Sequence, residues 1–229
     1  MSRRQVAILV GLGAVLLYLL IRRDILTEDK VVFFAVLFPS VIVHEISHGA
    51  LALAFGDRTA KNAGRLTLNP LPHIDPFGTI ILPALLLITT GTAFGWAKPV
   101  PVDPRRLRHP RNQTVLVSLV GPAVNIAIAV AAALVIRSFQ VHPDDSLAIR
   151  VVFVLGIVNV VLAAFNLIPI PPLDGSAVVE RALPDRLWPG YLRFRQFSMF
   201  ILLGLVLLLP GSLSFVFDPA IDLWQRLIG

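Results

Sequence analysis

Cysteine is missing from all 229 residues, which rules out a disulfide framework and any thiolate metal site. A metal here would have to be held by histidine and carboxylate. Charge is scarce as well: charged residues make up 15% of the chain against 56% hydrophobic ones, and the mean hydropathy is +0.80. A soluble domain of this size cannot bury so much apolar surface, so composition places the chain in a bilayer. The few charges are unbalanced, 20 Lys and Arg against 14 Asp and Glu. They stand in short segments that flank apolar runs, which is how membrane proteins set their orientation. The basic excess is therefore read as topology, and no nucleic-acid partner is expected.

Apolar runs occur at about 5–21, 31–55, 77–94, 114–136, 151–172 and 196–210, each near the roughly 20 residues that a helix needs to cross a hydrocarbon core. Arg3 and Arg4 precede the first run, and no small-x-small cleavage site follows before Arg22 and Arg23, so a retained anchor is expected. If all six runs cross, the Lys and Arg residues show only a poor bias. If 77–94 instead enters the membrane and returns, most of them fall on the side of the N-terminus, together with 56–76, 95–113 and 173–195. That side is then cytoplasmic. Pro83, Gly91 and Gly95 offer places for such a segment to bend.

The expected architecture is an all-α integral membrane protein with five to six transmembrane segments, one of the runs being re-entrant. It forms a single polytopic domain over 1–229 with its core at 31–177. Short membrane-associated β-strands are expected at Gly64–Leu68 and Trp96–Val102, where the alternation would let an unwound peptide add as a strand. The tail 214–229 mixes Phe215, Phe217, Ile221 and Trp224 with Asp218, Asp222 and Arg226 and reads as an interfacial segment.

Within the second run stands His44-Glu45-Ile46-Ser47-His48, a match to H-E-x-x-H. Residues four apart share a helix face, so both imidazoles can reach one zinc while Glu45 meets the water to be activated. Three ionisable groups inside a membrane segment are costly unless they are paired, metal-bound or wet, and such groups mark function by default. Two histidines leave a catalytic zinc one protein ligand short of the usual three. His73, Asp75, His109, His142 and Asp174 are the candidates. Asp174 stands out because Pro169, Pro171 and Pro172 must break the helix just before it, and irregular backbone at that depth is tolerated only where it is packed in protein or lines a wet cavity. An ordinary Asp-Gly turn is the competing explanation.

These residues resemble the site-2 protease family of intramembrane zinc metalloproteases. The resemblance rests on His44 to His48, on Gly121-Pro122-Ala123-Val124-Asn125 and on Asn166 through Asp174-Gly175. The stretches Asn69 to Thr79 and Gly95 to Pro101 are similar to its compact prokaryotic members. It implies zinc held by His44, His48 and Asp174, Glu45 as general base, and Asn166 assisting at the active site, with transmembrane proteins as substrates. It also implies a prokaryotic cell membrane as the location, while the distribution of Lys and Arg in the re-entrant arrangement puts the N-terminus in the cytoplasm. No PDZ or CBS domain is expected, since no soluble stretch is long enough. Asn125 suits helix packing as well as catalysis, and His73 and Asp75 suit a turn as well as support of the site. A membrane metal or ion transporter using the same polar residues as its pathway is the alternative.

Overall fold

A computed structural model describes residues 27–90, 95–143, 145–209 and 211–229. The anchor expected at 5–21 lies outside them. The helices are α1 (Glu28–Ala54), α2 (Thr59–Asn62), α3 (Leu82–Thr90), α4 (Pro110–Phe139), α5 (Leu147–Asn166), α6 (Ser176–Ala182), α7 (Trp188–Leu208) and α8 (Ser214–Ile228). Among the described residues four helical spans are long and apolar enough to cross a membrane: α1, α4, α5 and Asp185–Leu208, which contains α7. Large apolar side chains face outward from them, Phe33, Leu134, Phe197 and Phe200 among them, as a hydrocarbon environment permits.

Two boundaries depart from the apolar runs. Helix α5 stops at Asn166 although the run continues to Pro172, because Pro169, Pro171 and Pro172 carry no N–H and bar the helical region to the residues before them. Helix α7 begins at Trp188, well before the run at 196. Pro189 sits in its first turn, where a missing N–H goes unneeded. Glu180 then accepts from the Tyr191 hydroxyl at 2.9 Å and from Arg195 at 3.2 Å, which ties this polar first half of α7 to α6.

The chain divides into two compact units. The smaller contains Ile74–Lys98. Here Pro76–Ile81 forms a π-helix capped by Asp75, whose carboxylate accepts from Gly78 N at 2.6 Å, and α3 follows. The two ends of the segment are joined: Trp96 N donates to Gly78 O at 3.1 Å and the Thr79 hydroxyl donates to Trp96 O at 2.8 Å.

The larger unit holds Val36–His73 and Pro99–Gly229. Helices α4 and α5 pack along each other, and α8 packs on both. Ala129, Ala132, Ala133, Ile136, Val160 and Trp224 form the core of this three-helix layer. Trp224 donates its indole N–H to Ala129 O at 2.7 Å and lies against Gly156, where no Cβ would fit. The tail expected at an interface is thus an amphipathic helix anchored by one tryptophan, with Phe215 and Leu223 left exposed.

The expected β-strands are a correction, since there is no strand among the described residues. Alternation of side chains ignored the backbone donors. Thr67 and Asn69 bend the first segment by accepting from Asn69 N and Leu71 N, both at 3.1 Å. In the second, Pro99 and Pro101 have no N–H to give, and the one amide between them, Val100 N, donates to Glu45 Oε2 at 2.7 Å. Residues 99–101 therefore have no free amide with which to pair a strand.

Candidate metal centre

Helix α1 places His44 and His48 one turn apart on one face, both buried. Each ring is oriented by α4. His44 Nδ1 donates to Asn125 Oδ1 at 2.5 Å, and His48 Nδ1 donates to the Val117 carbonyl at 2.6 Å. With Nδ1 protonated on both rings, each Nε2 keeps its lone pair. Gly121 lets the rings approach α4, because a Cβ there would lie 2.5 Å from both His44 Cε1 and His48 Nε2.

Asp174 arrives on the turn that follows the proline break. Gly175 N donates back to the Asn166 carbonyl at 2.7 Å, and Ser176 N to Leu173 O at 3.0 Å. The turn is closed by backbone bonds and presents the carboxylate to α1. Asp174 Oδ2 lies 3.1 Å from His44 Nε2 and 3.4 Å from His48 Nε2, and the two Nε2 atoms are 3.1 Å apart. Oδ2 is buried and makes no hydrogen bond.

With the rings in this tautomer, three lone-pair atoms face one another, and a cation at their centre would satisfy all three. The dimensions suit zinc: N and O ligands at about 2.0–2.2 Å in a tetrahedron are roughly 3.4 Å from each other. Among the described residues His44, His48 and Asp174 form the one group of three such side chains able to hold a metal. The other candidates are engaged elsewhere. His73 is buried and its Nε2 donates to Thr67 O at 3.0 Å, Asp75 caps the π-helix, and His109 and His142 are exposed.

Glu45 stands outside the triangle, its Oε2 held by Val100 N. The segment that bears Val100 is itself fixed by Asp57, which is fully buried and accepts from Thr59 N at 2.9 Å, from the Thr59 hydroxyl at 2.5 Å and from Asp103 N at 2.7 Å. Burial alone would raise the Asp57 pKa, but those donors outweigh it and hold the carboxyl below its ordinary value. Asn166 is not joined to the triangle by a hydrogen bond. Its side chain donates to Leu162 O on its own helix at 2.9 Å, and its carbonyl closes the Asp174 turn.

Sequence reasoning missed Asn159 and Ser40. Both are buried and both lie on the polar path behind Asn125. Their only signal was a polar residue inside an apolar run.

The profile of peptidase family M50 matches residues 140–209, which include the Asp174 turn. YwhC of Bacillus subtilis, which bears the name of a candidate zinc metalloprotease, is 37% identical over 185 residues, 77% of this chain and 80% of that protein. Rip2 of Mycolicibacterium smegmatis, named in the same way, is 31% identical over 186 residues, 81% of this chain and 66% of its own length. A zinc metalloprotease of Methanocaldococcus jannaschii is 26% identical over 185 residues, 80% of this chain but 43% of that protein. No solved structure matches the chain significantly. The extent of the match to YwhC, together with membrane-length helices around a His-His-Asp triangle, makes this chain an integral membrane member of peptidase family M50, the site-2 protease family.

Proposed function

We propose that the chain is an intramembrane zinc metalloprotease that hydrolyses peptide bonds within or near the transmembrane segments of other membrane proteins. The observation that carries this reading is the triangle of lone pairs on His44, His48 and Asp174. The names of YwhC and Rip2 point the same way. When bound, zinc supplies a Lewis acid that makes water acidic near neutral pH and polarises a carbonyl. His44, His48 and Asp174 are the side chains that would hold it. Glu45 takes the proton of the attacking water and returns it to the leaving amine, and Val100 N–H keeps its carboxylate from swinging away. Asn166, at the lip of the Asp174 turn, assists by polarising the substrate carbonyl. A helical substrate must unwind before its carbonyl is open to attack.

The test is made on metal-free protein reloaded with one equivalent of zinc in proteoliposomes that carry a transmembrane peptide. Cleavage is expected to be absent without zinc and restored by it, with no zinc crossing the bilayer. Zinc flux without cleavage would identify the transporter instead.

Residues 77–94 are proposed to re-enter the membrane with the N-terminus cytoplasmic. The tie between Trp96 and Gly78 supports this, because a run whose two ends share hydrogen bonds begins and finishes at one level. Thr59→Cys and Arg106→Cys, made singly in this cysteine-free chain, should both react with an impermeant thiol reagent from the cytoplasmic face. Labelling of the two from opposite faces would restore a full crossing.

A further inference from the structure

Behind His44 a polar path runs through three helices. Asn125 and Asn159 are wholly buried and Ser40 nearly so, in spans where an unpaired polar group is costly. The Ser40 hydroxyl donates to Val36 O at 2.9 Å. Asn159 Nδ2 donates to Ser40 Oγ at 2.9 Å and to Leu155 O at 2.8 Å. Asn125 Nδ2 donates to Asn159 Oδ1 at 2.6 Å, and His44 Nδ1 donates to Asn125 Oδ1 at 2.5 Å.

An amide can be built either way round, and a neutral imidazole has two tautomers, so the direction of such a path needs an anchor. The Leu155 carbonyl supplies it. It can only accept, so the part of Asn159 that faces it must be the NH2 group. Asn159 Oδ1 is then turned to Asn125, whose own NH2 must meet it. That leaves Asn125 Oδ1 for His44, and an acceptor beside Nδ1 requires the proton on Nδ1. Nε2 is left with its lone pair on the side of Asp174. His48 needs no such path, because its Nδ1 meets a backbone carbonyl directly.

We propose that Asn159, anchored by the Leu155 carbonyl, is a positioning residue that acts through Asn125 to hold His44 in its Nδ1–H tautomer, so that Nε2 is ready for the metal before the metal arrives. The inference rests on the zinc-site reading but concerns the protein without zinc. The relay spares His44 the choice between tautomers. Without it Asn125 can present its NH2 group to the ring, which then carries its proton on Nε2, where zinc must bind.

The experiment uses metal-free protein labelled with 15N-histidine in detergent, the ring signals of His44 being assigned from a His44→Gln spectrum. Wild type should show Nδ1 protonated and Nε2 bare. Asn159→Leu, similar in size and unable to hydrogen bond, should give His44 a mixture of tautomers and weaken zinc binding about 10- to 100-fold, the usual loss for a group that orients a metal ligand. Asn159→Ala carries the same expectation if the leucine prevents folding. Adding Asn125→Asp should then restore both the Nδ1–H form and most of the affinity, because a carboxylate accepts whichever way it faces; a packing defect at 159 would not be repaired in this way. Ser40→Ala leaves the Leu155 anchor intact and should keep the tautomer. An unchanged tautomer and affinity in both Asn159 variants, or a double variant as weak as Asn159→Leu, would overturn the relay, and loss of the tautomer in Ser40→Ala would remove Leu155 as its anchor. A chain that binds no zinc at all would overturn the metal reading, while the relay would stand or fall on its own spectrum.

Discussion

Glu45→Gln is expected to leave zinc in place and to lower cleavage of a membrane-embedded peptide by about 10²- to 10⁴-fold, the usual contribution of a general base. The substitution is a clean one here. Glutamine has the same length, and its Oε1 can accept from Val100 N–H as Glu45 Oε2 does at 2.7 Å, so the side chain should stay where it is. Glu45 also stands outside the metal triangle, so nothing that binds zinc is removed. What is lost is the ability to take a proton from water. Zinc content by elemental analysis and cleavage should be measured on one preparation. Full zinc with full cleavage would remove Glu45 from the mechanism. Full zinc with a transport activity that survives the change would favour the transporter.

The parts of this picture that were legible in the sequence are those that depend on local spacing. Membrane-length helices follow from the lengths of apolar runs, and the shared face of His44 and His48 follows from helical geometry. Asp174 could be picked out because three prolines stop α5 just before it. The limits come from interactions between distant residues. Asn125 and Asn159 are 34 positions apart and Asn159 and Ser40 are 119 apart, and a single Asn or Ser in an apolar run says that a partner must exist without saying which. Hydropathy also averages over Pro169 to Pro172 and so carried the fifth run past the true helix end at Asn166. The strand expectation failed for a related reason. Alternation of side chains at 96–102 looked suitable, but Pro99 and Pro101 lack the N–H groups that a ladder needs, and Glu45 uses the amide of Val100.

Asp174→Ala is expected to abolish zinc retention through purification, whereas Asn166→Ala should keep zinc and lose cleavage. The two residues lie at opposite ends of one turn and are easily confused in function. Asp174 contributes its side chain, the only negative charge in the triangle, and without it two neutral imidazoles would remain. The affinity should then fall by more than the 10- to 100-fold that follows loss of an orienting group. Asn166 contributes its main chain to the same turn, since its carbonyl accepts from Gly175 N at 2.7 Å, and a change to alanine leaves that bond untouched. Its side chain, which donates to Leu162 O, holds no ligand. Any effect of Asn166→Ala should therefore appear in the cleavage rate and not in zinc content. The two variants are compared by zinc content after dialysis against a weak chelator and by single-turnover cleavage. Full zinc in Asp174→Ala would make another group the third ligand, with His73 the first to examine, because its Nδ1 is buried and makes no hydrogen bond. Loss of zinc in Asn166→Ala would show that the side chain of Asn166 supports the turn itself, and its assignment to the substrate carbonyl would fall.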